Sequence, residues 1–202
     1  MEKIDLKKEL KDLYNPSTKE IAIVDVPKMN FLMIDGSGDP NTSQEYKNAI
    51  EALFNLSYTL KFFIKKTRGV DYSVMPLEGL WWVDDRSQFS VEKKSSWKWT
   101  SMIMQPEQVT KEIVAKALEE LKKKKPLPAF SKIRFESFHE GKSAQIMYIG
   151  AFSNEGPTIE KIHDFVKKHD CTLEGRHHEI YLSDPRRAPP EKMRTILRQP
   201  MK

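Results

Sequence analysis

FLMIDGSG at residues 31–38 and QIMYIGAF at residues 145–152 decide how this chain folds. Each is an apolar run that stops at glycine, and each leads into a stretch with helical periodicity. The later segments of the two halves also match. GLWWVDD (79–85) comes after the first helical stretch and HEIYLSD (178–184) after the second. TSMIMQP (100–106) then closes one half, and RTILRQP (194–200) closes the other. The repeat is strand–helix–strand–strand, used twice. One such unit leaves a sheet face poorly covered, whereas two sharing a sheet bury their helices on it. The expectation is an α+β fold of tandem pseudo-symmetric modules sharing an antiparallel sheet, with a central ligand cleft between them. A single domain is expected, with an N-terminal arm at 1–19, a first module at 20–125 and a second at 126–202.

Working outward, EIAIVDVPKMNFLMIDGSG (20–38) reads as strand, bend at Pro27, and strand. A helix is expected from Thr42, where Thr42 and Glu45 have capping-box spacing. Its inner face would carry Ala49, Ile50, Leu53, Phe54, Ser57, Leu60 and Ile64. Strands over 72–85 and 95–106 come next. A second helix should run from Glu107 into the lysines, burying Val109, Ile113, Ala117, Leu118 and Leu121. In the other half, IRFESFHE and SAQIMYIGAF are expected to pair around Gly141. A helix over 158–168 turns Ile159, Ile162, Phe165 and Val166 inward, and two strands complete the chain.

Composition bounds the function. Lys and Arg number 34 against 29 Asp and Glu in 202 residues, a formal charge of +5. The excess sits in KKKK at 122–125 and Arg186–Arg187, without a basic stripe interleaved with aromatics, so no direct nucleic-acid contact is expected. The lysine run suits a helix C-terminus. Cys171 is the single cysteine and has no internal disulfide partner, which favours a reducing compartment. The charged start MEKIDLKKELKDLY lacks a signal-peptide core, and no apolar run reaches the roughly 20 residues of a membrane span. A soluble cytoplasmic protein is expected.

The chemistry gathers in HHEIYLSDPRR (177–187). Strand alternation puts His177, Glu179 and Tyr181 on one face and His178, Ile180 and Leu182 on the other. A mid-strand carboxylate beside a phenol is either a solvated surface position or the polar floor of a pocket. All four tryptophans, Trp81, Trp82, Trp97 and Trp99, fall in two neighbouring strands. Aligning WWVDD with IYLSD sets Trp82 beside Tyr181 in the cleft and Trp81 in the core, with Glu78 and Leu80 sharing the face of Trp82. Trp97 and Trp99 share a face, and parity alone leaves open which one. The expected ligand is a hydrophobic or aromatic small molecule, stacked on rings and anchored by a carboxylate. Trp82, Trp99, Trp97, Leu80, His177 and Tyr148 are expected to line its site. The five histidines lack zinc-site spacing, and MIDGSGD (33–39) lacks the lysine and serine of a phosphate loop, so no metal or other cofactor is expected.

EIYLSDPRRAPPEKMRTILRQP (179–200) resembles the signature of the GyrI-like small-molecule-binding domain, the ligand-binding domain of multidrug-sensing transcription activators. PLEGLWWVDD (76–85) resembles a narrower branch, hydrolases that open the cyclopropane ring of DNA-alkylating cyclopropanoid natural products within an aromatic cage. The resemblance implies two strand–helix–strand–strand modules around one antiparallel sheet, with the ligand between them. It matches Glu179 to the acidic residue that multidrug-binding members place in the pocket. One departure is plain: about 19 residues precede the first strand, too few for the helix-turn-helix module of those activators. The resemblance thus implies a cyclopropanoid hydrolase that protects the cell. The alternatives are a multidrug-binding or sequestering protein, a ligand sensor acting with a separate partner, or a gyrase-protecting protein. For hydrolysis, Glu179 or Glu78 would orient or deprotonate the water, Tyr181 would donate a hydrogen bond, and the rings would hold the electrophile.

Overall fold

The computed structural model describes residues 2–84 and 94–202. The first repeat consists of β3 (Met29–Ser37), α3 (Gln44–Arg68), β5 (Leu77–Trp82) and β6 (Lys98–Gln105). The second consists of β8 (Gly141–Ile149), α5 (Gly156–Lys168), β9 (His177–Tyr181) and β10 (Arg194–Pro200). With β2 (Ala22–Val26) and β7 (Arg134–Phe138), these strands form one eight-stranded antiparallel sheet in the order β2-β8-β10-β9-β5-β6-β3-β7. The halves meet at β9 and β5. The α+β architecture of paired strand–helix–strand–strand modules on a shared antiparallel sheet is therefore as the sequence implied.

The edges correct one expectation. The strands flanking Gly141 do not pair with each other: β7 pairs with β3, while β8 pairs with β10 and β2. Likewise β2, which precedes β3, lies on β8, so each half lends an edge strand to the other. This exchange bends the sheet. Strands β8 and β7 occupy the second and last positions, six spacings apart, roughly 29 Å in a flat sheet. Only His139 and Glu140 join Phe138 to Gly141, a link that spans at most about 11 Å. Pro27 and Lys28 impose the same constraint between β2 and β3. The sheet must curl into a half-barrel with an inner and an outer face.

The helices cover the outer face, with α3 on β3 and β6 and α5 on β8 and β10. Ala49, Leu53, Leu56, Leu60 and Ile64 of α3 are buried, each leucine contributing about 1.5–3 kcal/mol of burial. Gly69 ends α3 in the left-handed conformation that a C-cap needs. The start of α3 differs from the expected cap. Ser43, rather than Thr42, accepts the Tyr46 N–H, because residues 39–42 are spent on a turn in which Asp39 accepts from Asn41. Similarly, α4 (Lys111–Lys124) begins at the Thr110 cap rather than near Glu107. Val109 is buried ahead of α4 in a turn closed by its N–H to the Pro106 carbonyl, while Val114 joins Ala117 in the buried face. Asp85, the last residue of the strand expected over 72–85, lies outside the described residues.

The arm is not merely polar. Its β1 (Glu2–Ile4) pairs in parallel with β4 (Val70–Tyr72), and α1 (Leu6–Glu9) leads into α2 (Lys11–Tyr14), which buries Leu13 and Tyr14. The Asp12 and Leu13 carbonyls accept hydrogen bonds from Gln145 and Arg198 inside the curl.

Candidate functional site

Because α3 and α5 cover the flanking strands, the outer face of β9 and β5 forms the floor of a groove between them. Pairing there is centred on Gly79 opposite Glu179, with Leu77 opposite Tyr181 and Trp81 opposite His177. Residues directly opposite in an antiparallel pair share a face. Trp81 therefore joins His177, Glu179 and Tyr181 in the groove, while Glu78, Leu80 and Trp82 point inside the curl. The expectation that placed Trp82, Leu80 and Glu78 with Tyr181 was one residue out of register. The halves correspond as Gly79 with Glu179 and Trp81 with Tyr181, and a slip of one flips every side chain.

The open question of which face Trp97 and Trp99 share also resolves. Trp99 pairs directly with Trp81, and Trp97 shares its parity, so both are on the groove side. Trp99, however, is fully buried against Tyr46 and belongs to the core instead of lining a ligand site as expected. The Trp81 ring lies 5.6 Å from Trp97 and 5.8 Å from Tyr46 of α3, and Tyr46 lies 5.0 Å edge-on from Trp99. Two glycines make this possible. A Cβ on Gly36 would come within 2.3 Å of the Trp99 ring, and one on Gly79 within 2.7 Å of Trp81 Nε1.

At the centre of the floor, the Tyr181 hydroxyl donates to Glu179 Oε2 at 2.7 Å and accepts from Trp81 Nε1–H at 3.0 Å. His177 Nε2 lies 3.3 Å from Glu179 Oε1. Glu155, at the N-cap position of α5, makes no side-chain cap bond and instead brings its carboxyl to that of Glu179. The two acids are pushed apart. Burial, then the charge of Glu179 and the bond to it, raise Glu155 to about 9. Burial alone would raise Glu179 too, yet His177, Tyr181 and Glu155 together hold it below its ordinary value. At neutral pH the pair is one carboxylate and one carboxylic acid. Burial and Glu179 raise the Tyr181 and Tyr46 phenols, keeping both protonated.

Other groove residues have definite roles. Phe152 packs edge-on against Tyr181 at 5.6 Å. Tyr148 sits half-buried at the margin, its hydroxyl donating to the Ala151 carbonyl and its phenol raised by burial and by Glu155. Sequence reasoning missed Glu155 and Tyr46, and it had Trp81 buried, as it is, but on the wrong face of β5. An acid ahead of Gly156–Pro157 reads as an ordinary helix-start residue, and Tyr46 as a first-turn surface residue. Only the pairing register, a long-range property, brings them together.

Inside the curl, Glu78 belongs to a different network. Its carboxylate accepts from Tyr14 at 2.7 Å and meets His178 Nε2 at 2.9 Å. His178 Nδ1 lies 2.9 Å from Glu140, which also accepts from Arg198 at 3.0 Å. Arg198 further donates to Gln145 and the Leu13 carbonyl. Burial lowers His178, but Glu140 and then Glu78 outweigh it and raise the imidazole to about 9. Glu140 is held down at about 2, against its burial, by His178 and then Arg198. The network fastens the arm to the sheet, and Glu78 is an anchor there instead of a groove carboxylate.

Residues 19–201 match the GyrI-like small molecule binding domain. The chain belongs to the GyrI-like family. Among solved GyrI-like relatives, an uncharacterized conserved protein from Listeria innocua is 42% identical, with a TM-score of 0.91 over 98% of this chain and 100% of its own. A protein from Listeria innocua described as a hydrolase is 40% identical, with a TM-score of 0.89 over 100% of both chains. A second structure described as a Listeria innocua hydrolase gives 40% and 0.86 over 98% of this chain and 100% of that one. The C-terminal domain of EcmrR, at 8% identity and a TM-score of 0.55 over 91% of this chain and 97% of its own, shares the fold. No curated protein sequence matches. Among the described residues of this GyrI-like chain, no group of three or more His, Cys, Asp and Glu could hold a metal, and no helix is long and apolar enough to cross a membrane.

Chemically, the groove of this GyrI-like domain pairs ring faces with an acid and a base. The rings of Trp81, Trp97 and Tyr46 suit a flat unsaturated ligand. Glu179 accepts hydrogen bonds or a proton, and Glu155 donates one.

Proposed function

We propose that the chain hydrolyses electrophilic aromatic small molecules, cyclopropanoid DNA alkylators among them, and so protects the cell that makes it. The observation that carries this is the contact between the Glu155 and Glu179 carboxyls, on the same side of the sheet as the indoles of Trp81 and Trp97. The hydrolase descriptions of the relatives at 40% identity support an enzyme.

In this reading, the rings stack on the conjugated body of the substrate and hold its strained ring over Glu179. Glu179 orients a water and takes its proton as the water oxygen bonds to a cyclopropane carbon. The adjacent carbon–carbon bond breaks, and its electron pair runs through the conjugated system to the carbonyl oxygen, which Glu155 protonates. The net change is addition of one water. Transfer of the proton from Glu179 back to Glu155 restores the pair, and their contact provides the route. Tyr181, bonded to Glu179 and braced by Trp81, fixes the carboxylate that meets the water. Glu78 has no part in this chemistry.

Incubation with a cyclopropanoid alkylator, followed by mass spectrometry of compound and protein, tests the proposal. A product one water heavier, formed in many-fold excess over wild-type protein and lost in Glu179→Gln, is expected. Wild-type turnover by Glu179→Gln would remove the assigned role. Unchanged compound with quenched tryptophan fluorescence would favour the second reading, a multidrug-binding or sequestering protein. That reading draws on the ionised Glu179 among aromatic rings, which also suits a cationic aromatic ligand.

A further inference from the structure

The mouth of the half-barrel, on the opposite side of the sheet from the groove, holds a cavity of about 440 Å³. That volume falls within the range of small-molecule sites, and barrel mouths are a common place for them. Leu80, Phe138, Pro200 and Met201 supply apolar walls, while Lys142 and Arg176 stand at its border. Glu140, a buried carboxylate in its lining, is already engaged: it meets His178 and Arg198, and His178 in turn meets Glu78. The floor therefore presents hydrocarbon and a carboxylate that already has its partners.

The border is different. Arg176 lies over the Trp82 ring at 3.6 Å, which fixes its guanidinium plane, and its NH1 donates to Thr100 Oγ1 at 3.3 Å. Asp35, the acid whose charge Arg176 feels, is already engaged, accepting from Thr100 at 2.6 Å and from Arg134 at 2.7 Å. Lys142 Nζ has a 3.5 Å contact with Cys171 Sγ. Among the described residues, neither Arg176 nor Lys142 has a carboxylate within 4.0 Å. Glu174 is the lone acid at the border, so lysine and arginine leave a net positive rim. Two cations without a carboxylate partner among the described residues, above an apolar wall, match an anion with a hydrocarbon body. Arginine on such a rim grips a carboxylate through paired N–H donors.

We propose that this mouth is a second binding site, distinct from the aromatic groove, for a small aromatic or alkyl carboxylate. Its carboxylate is held by Arg176 and Lys142, and its apolar body rests on Leu80, Phe138 and Pro200.

Isothermal titration of the full chain with 1-naphthoate, and with the uncharged 1-naphthamide as its match in shape, tests this directly. The expected result is saturable binding of naphthoate, roughly tenfold or more tighter than the amide. Arg176→Gln with Lys142→Gln should weaken naphthoate by about tenfold or more while leaving the amide unchanged. Both are border side chains, and an unchanged thermal melt establishes that the variant is folded. Glu179→Gln should leave naphthoate affinity as in the wild type. Equal affinity for acid and amide would overturn the proposal. So would the absence of saturation, or loss in Glu179→Gln but not in the double variant, which would place the ligand in the groove.

Discussion

Tyr181 and Glu179, two residues apart on the same face of β9, are joined by a 2.7 Å hydrogen bond from phenol to carboxylate. The bond runs along the strand because residues i and i+2 project from the same side, and Gly79 opposite leaves room for the rings above it. The Trp81 N–H completes the phenol's environment from the neighbouring strand. A side chain held at both ends keeps Glu179 in one orientation, which is what attack by an oriented water requires.

Tyr181→Phe removes that bond while keeping the ring. A hydrogen bond to a charged group is worth about 1.5–3 kcal/mol, so hydrolysis should fall by roughly tenfold to a hundredfold. The loss should appear in kcat more than in KM, because the ring that the proposed substrate would meet remains. Steady-state kinetics on purified variant and wild type check this. A wild-type kcat would mean that the phenol does not act on the carboxylate.

Glu155 predicts a pH dependence in both rate and stability. In the proposed reaction Glu155 is the general acid and must be protonated, so the rate should decline as pH rises through about 9. Glu155→Gln, which keeps the shape but has no proton to give, should lose roughly a hundredfold or more in kcat. For stability, the folded state holds a proton on Glu155 that the unfolded chain releases near its ordinary pKa, so this group destabilises the fold increasingly from about pH 4.5 up to about 9. Glu155→Gln should accordingly raise the melting temperature, and by more at pH 8 than at pH 5. Thermal melts at the two values decide it, with a gain independent of pH as the contrary result.

The network inside the curl sets a second pH window. His178 is raised to about 9, so its contribution is full below its unfolded value near 6.5 and is lost as pH climbs through 9. Glu140, lowered to about 2, contributes fully above about 4.5, and that contribution is lost as pH falls through 2. The network is strongest between about pH 4.5 and 6.5. His178→Ala leaves Glu78 and Glu140 buried without their shared cation and should cost about 3–5 kcal/mol. Urea unfolding at pH 5.5 measures it, and a cost below about 1 kcal/mol would show that the network does not fasten the arm.

The doubled module was legible in the sequence because its signals are local: apolar runs, glycine stops and helical spacing recur in the same order. Tyr181 beside Glu179 was legible for the same reason, since parity within one strand needs no partner. The position of Trp81 was not. WWVDD and IYLSD align by side-chain type, but the facing of β5 is set by pairing across the junction of the halves, where Gly79 must oppose Glu179. The exchange of edge strands was equally hidden, because adjacent strands usually pair and nothing in IRFESFHE names β3 as its neighbour. Glu155 lies in a connection whose residues, read alone, make only a helix start.

The register itself can be tested with a matched pair of substitutions. Trp81→Phe removes the N–H that braces Tyr181 and trims a ring from the groove, whereas Trp82→Phe alters the support of Arg176 on the other face. Hydrolysis should fall by roughly tenfold in the first, from a lost hydrogen bond and reduced stacking, and stay near wild type in the second. Quenching of tryptophan emission by an aromatic ligand in the groove should likewise shrink in Trp81→Phe and persist in Trp82→Phe. Gly79→Ala adds a third point: its Cβ would stand 2.7 Å from Trp81 Nε1 and 3.1 Å from the Tyr181 hydroxyl, pressing on both partners of that bond. It should reproduce the Trp81→Phe defect without removing any aromatic ring. If Trp82→Phe were the damaging change and Trp81→Phe the silent one, β5 would have to face the other way, with Glu78 returning to the groove.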